Sequence, residues 1–267
     1  MSSDEKIALF RKLHQGPRIL VLANASDAAS ARIFEQAGFS ALGTSSAGVA
    51  FSLGYPDGQR VPADEMLAAV ARIVRVVSIP VSADVESGYG DPMATARALA
   101  DIGAAGMNLE DFPGENLQSL VDLDAQVRLI EKVRAACDLV VNARTDVYLM
   151  AIGDPATRFE RTVERARAYR RAGADCIFIP GVSDAETIGK LTNAIDAPIN
   201  ILGTVGAPPV GELERLGVAR VSVGSGPMRA AMGLMQRIAK ELLESGTYSA
   251  MTDSAMSYMD ANRLFMP

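Results

Sequence analysis

Histidine, tryptophan, lysine and cysteine are all scarce in this chain of 267 residues, and each shortage removes a class of chemistry. His14 is the one histidine and tryptophan is absent, so acid–base work falls to carboxylates, tyrosine, arginine or bound water. The two cysteines, Cys137 and Cys176, are too few and too far apart for a disulfide framework or a thiolate metal site. A reduced, cytoplasmic setting is expected. Lys6, Lys12, Lys132, Lys190 and Lys240 fall in helical stretches and none ends a strand, which argues against Schiff-base chemistry. No run approaches the roughly 18 apolar residues of a membrane span, and residues 1–10 are too polar for a signal peptide. A net charge of −6 and a pI of about 5.0 speak against nucleic acid or an anionic membrane as partner. No linker, charge run or low-complexity tract interrupts the chain. Residues 1–267 are therefore expected to form one domain, with 245–267 as an apolar tail that docks on this subunit or a neighbour.

What is present, at 49% hydrophobic content, alternates between apolar strands and helices. Strands are predicted at 19–23, 40–44, 80–85, 106–110, 139–144, 176–180, 198–202 and 220–224. Helices are predicted between them at 27–37, 62–77, 92–102, 123–136, 155–172, 184–194 and 210–216, with a leading helix at about 3–14 and a last one at 227–243. Gly38, Gly103, Gly173 and Gly217 each follow a helix, as left-handed caps do in short helix-to-strand turns. Eight such units predict a (β/α)8 barrel of the TIM type. The runner-up is an open doubly wound sheet, weakened because no G-x-G-x-x-G follows the first strand. In a barrel, His14 lies away from the mouth and reads as a surface residue. Cys137 and Cys176 fall at the opposite, stability face.

Residues 82–91, S-A-D-V-E-S-G-Y-G-D, are the most chemically loaded stretch. Asp84 and Glu86 sit two apart, a spacing that on a strand places both carboxylates on one side, about 6–7 Å apart. At an effective dielectric near 20 they repel by about 2.5 kcal/mol. A hard divalent cation is the natural offset. Gly88-Tyr89-Gly90 then turns the chain, and Asp91-Pro92 reads as a helix start.

Barrel enzymes react at the C-terminal ends of their strands, where further candidates collect. Strand four ends in Asn108-Leu109-Glu110-Asp111, strand five in Asn142-Ala143-Arg144-Thr145-Asp146, and strand seven carries Asn200. Several acids facing one arginine describe an oxygen-rich metal site beside an anion anchor. Plainer roles stay open: Asp91 and Asp111 as N-caps, Arg144 as a structural partner of Glu110 or Asp146. The turn Gly224-Ser225-Gly226-Pro227 suits either a phosphate or a simple tight turn.

These motifs, Ala83 to Asp91, Asn108 to Asp111 and Asn142 to Arg144, resemble the isocitrate lyase/phosphoenolpyruvate mutase superfamily. The resemblance runs from Phe10 to about Leu243. It implies a (β/α)8 barrel, Mg2+ (or Mn2+), and chemistry through an enolate of a small 2-oxo acid. Asp84, Glu86 and Glu110 would hold the metal, some through water. Ser45, Ser46 and Ala47 would receive the substrate carboxylate, Asp57 would lie near the metal, Arg144 would clamp substrate charge, and Asn200 would add a polar contact. It also implies a homodimer or homotetramer that exchanges the last barrel helix. The lyases carry a Lys-Cys-Gly-His loop after strand four. Here residues 112–122 contain no Cys, Lys or His, leaving Glu115 as an acid and Asn116 as an echo of the mutases' loop asparagine. Glu86 also stands where Asp is more usual. The expectation is therefore a lyase or hydrolase cleaving a C–C or C–P bond in an oxaloacetate- or phosphonopyruvate-like substrate, without isocitrate or methylisocitrate lyase activity. A phosphonomutase-like isomerase or a non-catalytic dicarboxylate-binding barrel are the alternatives.

Overall fold

Strand–helix alternation closes on itself in the computed structural model, which describes residues 1–113, 119–253 and 255–266. The leading helix α1 (Ser3–Leu13) is capped by Ser2 and Glu5 and precedes β1 (Leu20–Ala25), α2 (Ala28–Gln36) and β2 (Leu42–Thr44). Next come α3 (Ser46–Leu53), α4 (Ala63–Val76), β3 (Val81–Asp84), α5 (Pro92–Asp101), β4 (Gly106–Glu110), α6 (Leu123–Ala136) and β5 (Val140–Arg144). The second half runs α7 (Arg158–Arg171), β6 (Cys176–Ile179), α8 (Ala185–Ala194), β7 (Ile199–Leu202), α9 (Val210–Arg215), β8 (Arg220–Ser222) and α10 (Gly226–Glu244). All eight strands are parallel and paired in chain order, with β8 returning to β1 to close a barrel. The predicted strands agree with these to within two residues at every end: β4 matches at both ends, and β1 runs two residues further than predicted. The segment after β2 opens with a short helix. Ser45 Oγ accepts from the Gly48 N–H and starts α3 there.

Register decides which side chains share the interior. Asp84 pairs with Asn108, Asn108 with Asn142, and Asn142 with Cys176. Two residues nearer the mouth, Glu110 pairs with Arg144 and Arg144 with Phe178. Phe178 in turn pairs with Asn200, Asn200 with Arg220, and Arg220 with Leu20. Barrel interiors are usually layers of Val, Ile and Leu. This one holds Ser82, Asn108, Asn142, Asn200, Arg220 and Ser222, all buried.

The floor is closed by α1. Phe10 packs so tightly beneath Gly106 that a Cβ there would meet its ring at 2.8 Å. His14 is not the surface residue its position predicted. It is 5% exposed, edge-on to Phe10 with ring centroids 4.7 Å apart, and its Nδ1 lies 2.8 Å from the Phe10 carbonyl oxygen. A barrel floor is a surface only until a helix covers it, and α1 does so. At the other end, α11 (Ser249–Thr252) and α12 (Tyr258–Arg263) form the tail. Leu264 is buried and its carbonyl accepts from Arg32 Nε at 2.6 Å, which docks the tail's end on α2. Tyr248, Tyr258 and Phe265 stay exposed, as do Met232, Met235, Leu242 and Leu243 of α10. Among the described residues no helix is long and apolar enough to cross a membrane.

Candidate active site

Asp84 ends β3 inside the barrel mouth, 8% exposed. Its Oδ2 accepts from the Ser46 backbone N–H at 3.1 Å and from the Ser46 hydroxyl at 3.0 Å. Thr44 Oγ1 accepts from the Asp84 N–H at 2.8 Å. The N-terminus of α3 therefore points at Asp84, with its dipole favouring negative charge there. Oδ1 is buried with no hydrogen-bond partner. One oxygen is fixed and the other is left unpartnered.

Glu86 is not on the strand with Asp84, as the two-residue spacing predicted. β3 stops at Asp84, and Glu86 sits in left-handed backbone at φ 52°. Gln59 (φ 57°) and Tyr89 (φ 53°) share that unfavourable region, and all three residues touch. Glu86 Oε1 accepts from the Gln59 N–H at 3.0 Å and from the Tyr89 hydroxyl at 3.1 Å. Gln59 Nε2 in turn donates to Ser87 Oγ, and the Tyr89 N–H donates to Gln59 Oε1. Strain of about 1–3 kcal/mol at each such residue collects around one carboxylate, as it does at functional sites. Burial first, then the charge of Asp84, pushes Glu86 up to about 7. Burial and then Glu86's charge raise Tyr89 as well, so its hydroxyl stays protonated. Beside this pair opens a cavity of about 330 Å³ lined by Gln59, Arg60, Tyr89 and Pro113.

Glu110 and Arg144 meet across β4 and β5, Oε2 to Nη1 at 2.8 Å. Arg144 Nε donates to Asp146 Oδ1 at 2.7 Å, and its guanidinium carbon lies 5.8 Å over the Phe178 ring. Burial opposes the Arg144 charge, but Glu110, Asp146 and Asp84 outweigh it and raise its pKa. One arginine cannot satisfy two buried acids. Burial holds Glu110 well above the usual carboxylate range despite Arg144, and Asp146 is raised in the same way. Asp57 stands at the rim, raised by burial and by Asp84, with the Gly58 N–H and the Arg144 charge working the other way.

The predicted residues are thus gathered unequally. Asp57, Asp84, Glu86, Glu110 and Arg144 share the mouth. They do not form a ready-made cage: among the described residues no three of His, Cys, Asp and Glu converge closely enough to hold an ion. Glu110 turns to Arg144 because an unpaired buried carboxylate is costly. Ser46 serves Asp84 and Ser45 caps α3, so neither hydroxyl stands free. Ala47 follows in the first turn of α3. Asn200 is fully buried and exchanges hydrogen bonds with Ser222. Glu115 and Asn116 lie outside the described residues. The turn at Gly224 is a structural one, since the Val223 and Gly224 N–H groups both donate to Asn24 Oδ1.

Asp91 caps α5 as predicted, accepting from the Ala94 N–H at 3.0 Å. Asp111 is no N-cap. It is fully buried, its Oδ1 accepting from the Asp146 N–H at 2.9 Å and its Oδ2 from Arg165 Nη1 at 3.0 Å and the Tyr169 hydroxyl at 2.7 Å. Arg165 Nη2 also donates to the Val121 carbonyl at 2.7 Å. Arg165 and Tyr169 sit four apart on α7, as one helix face requires, yet nothing local in the sequence marks them among that helix's many charges. The same holds for Gln126, which donates to the Glu110 carbonyl at 3.2 Å, and for Arg220 in the barrel interior.

Comparison with known proteins adds a consistent set of neighbours. Residues 10–243 match the phosphoenolpyruvate phosphomutase family. A solved protein from Burkholderia cenocepacia J2315 superposes with a TM-score of 0.92 at 37% identity, covering 99% of this chain and 97% of that one. The oxaloacetate decarboxylase of Pseudomonas fluorescens is 32% identical over 239 residues, 84% of this chain and 80% of its own. The 2-methylisocitrate lyase of Aeropyrum pernix is 30% identical over 263 residues, 92% of this chain and 82% of its own.

Proposed function

From the premise that this chain belongs to the phosphoenolpyruvate phosphomutase family, within the isocitrate lyase/phosphoenolpyruvate mutase superfamily of C–C- and C–P-cleaving enzymes, we propose that it is a Mg2+- or Mn2+-dependent lyase or hydrolase acting on a small 2-oxo acid. The favoured substrates are oxaloacetate-like or phosphonopyruvate-like. The observation that carries this reading is the pairing of one free, buried Asp84 oxygen with two neighbouring acids, Glu86 and Glu110, both pushed toward protonation. Carboxylates left short of positive charge are the donor set a hard divalent cation fits. Asp84 would hold it directly, with Glu86 and Glu110 reaching it through water. When bound, such an ion supplies a Lewis acid where charge develops on an enolate oxygen.

The chain's own residues supply the remainder. The Ser46 N–H already serves Asp84, so in this reading the Ala47 N–H in the first turn of α3 would receive the substrate carboxylate. Arg144, held here through Nη1 by Glu110 and through Nε by Asp146, would turn its planar guanidinium to the group at the far end, a carboxylate or phosphonate, with Phe178 beneath it to fix its plane. Asp57 at the rim and Asn200 in the interior are further polar contacts in this reading. Breaking the bond beside the carbonyl leaves an enolate, which must be protonated on carbon. Residues 112–122 hold no thiol or imidazole for this, so a product whose enolate takes its proton from water is the better match. Isocitrate and 2-methylisocitrate turnover is accordingly expected only at trace level.

The second reading, isomerisation of phosphonopyruvate to phosphoenolpyruvate, draws on the family that matches residues 10–243. Separate incubations with Mg2+ distinguish the readings by product: pyruvate, or oxalate with acetate, from oxaloacetate; pyruvate with phosphate, or phosphoenolpyruvate, from phosphonopyruvate; and succinate with pyruvate from 2-methylisocitrate. Asp84→Ala should lower turnover at least about 10³-fold and abolish Mg2+ binding by calorimetry. Equal binding in wild type and variant sinks the assignment. A multimer built through α10 is also proposed, because no residue of that helix is buried in the single chain. Light scattering at micromolar concentration tests it.

A further inference from the structure

Arg220 is the least explained residue in the molecule. It lies at the start of β8, 1% exposed, facing into the barrel. Nε and Nη1 have no hydrogen-bond partner. Nη2 reaches Asn108 Oδ1 at 3.5 Å, a marginal contact, and the guanidinium lies 5.8 Å from the Phe10 ring below. Among the described residues no acid forms an ion pair with it. An unpaired buried cation is a poor device for stability, because its desolvation is not repaid by a partner. Apolar residues fill this layer in ordinary barrels.

Its setting points upward. Asn108 Oδ1 accepts from Arg220 and, at 2.8 Å, from Asn142 Nδ2, and Asn108 is the register partner of Asp84. Above that asparagine pair the mouth carries Asp57, Asp84, Glu86, Glu110 and Asp146 against the single Arg144. Burial pulls Arg220 down to about 10, while the neighbouring Cys176 and the Asp84 charge pull the other way, so it stays protonated at neutral pH. Buried charges are little screened by salt and act over long distances.

We propose that Arg220 is the internal counter-charge of the active site, a positioning residue that sets the field at Asp84 from beneath through the Asn108–Asn142 pair. This rests on the metal reading above and deepens it. A fixed positive charge under the site weakens the hold on a cation and strengthens the hold on an anionic substrate. It keeps the acid cluster from gripping the metal so tightly that no net attraction for a dianion remains. The two effects have opposite signs, and a merely structural residue would not produce that pattern. Across roughly 10 Å at an effective dielectric of about 20, one unit charge corresponds to about a tenfold change in affinity.

Calorimetry with Mg2+ alone, and then with oxalate on the Mg2+-saturated protein, reads both effects. Arg220→Met keeps most of the volume and removes the charge. It should bind Mg2+ about tenfold more tightly and oxalate about tenfold more weakly, while Arg220→Lys stays near wild type in both. Should Arg220→Met fail to fold, Asn108→Asp keeps the acceptor for Asn142 and Arg220, cancels the charge in place, and should shift both affinities with the same signs. Unchanged affinities, or a loss of both together, in a folded variant overturn the proposal. Wild-type protein that takes up no Mg2+ overturns the metal reading instead. The oxalate arm, run without metal, then decides the role of Arg220 by itself.

Discussion

Glu110 and Asp111 are neighbours in the chain, both buried, and their surroundings could hardly differ more. Glu110 faces the mouth, shares Arg144 with Asp146, and is held well above the usual carboxylate range by burial that Arg144 only partly offsets. Asp111 faces α7 and uses both oxygens, on Arg165, Tyr169 and the Asp146 N–H. The satisfied acid is architecture. It ties the end of β4 to α7, whose Arg165 also holds the Val121 carbonyl, and it fixes the backbone that carries Asp146 toward Arg144. In the function proposed above, the frustrated acid is the one that takes part in the chemistry, since a strained group in a cleft is what a ligand can relieve.

The sharpest test of that contrast is to break the architectural side. Arg165→Met leaves Asp111 buried beside one hydroxyl and one N–H, and should cost about 3–5 kcal/mol in urea unfolding. Glu110→Gln should cost far less. A loss below about 1 kcal/mol for Arg165→Met would put the two acids in the same class and break the comparison.

His14 extends the contrast to the barrel floor, where burial favours the neutral form of a titratable group. Burial, then the charge of Arg220, lowers it to about 4 from an ordinary 6.5. The unfolded chain therefore takes a proton that the folded chain refuses. Stability from this source is complete above pH 6.5 and is lost as pH falls toward 4, by about 3 kcal/mol at most. Urea midpoints for wild type and His14→Asn across pH 4–7.5 should converge as pH falls. Parallel curves would mean that His14 titrates normally. At the mouth, Arg144→Lys keeps the charge but loses the fork over Phe178, and should lower kcat/KM by more than tenfold on the substrate identified. Near-wild-type kinetics would move Arg144 to the architectural side.

How far the sequence reveals this contrast depends on where each partner lies. The barrel follows from period and glycine caps, because each strand–helix unit is written locally. Asp84, Glu110 and Arg144 are legible because barrels react at strand ends, which sequence can locate. The partners of Asp111 lie 54 and 58 residues away on α7, and no local pattern joins them to it. Glu86 departs from its predicted face because a two-residue spacing means a shared face only while the strand lasts. Its left-handed backbone is held by Gln59 and Tyr89, a tertiary fact. His14 departs from the predicted surface for a similar reason: the helix that buries it is the one that carries it.

Glu86 also provides the gentlest test. If the mouth acids are held against their own preference, neutralising one should stabilise the metal-free protein. Glu86→Gln retains an oxygen for the Gln59 N–H and the Tyr89 hydroxyl while removing the repulsion from Asp84 and Asp57. Its folded pKa is raised to about 7 from 4.5, so the wild-type carboxyl favours the fold below pH 4.5 and loses that advantage as pH rises through 7. At pH 8 the ionised acid is fully unfavourable. The new amide gives back part of the gain, because its NH2 is buried in the same place. A net rise of about 1 kcal/mol, or roughly 2–4 °C in Tm, is expected at pH 8 and none near pH 4.5. Added Mg2+ should narrow the gap by stabilising wild type more than the variant. A variant less stable than wild type at pH 8 without metal would show Glu86 to be a satisfied group like Asp111, and its strained backbone would then need another cause.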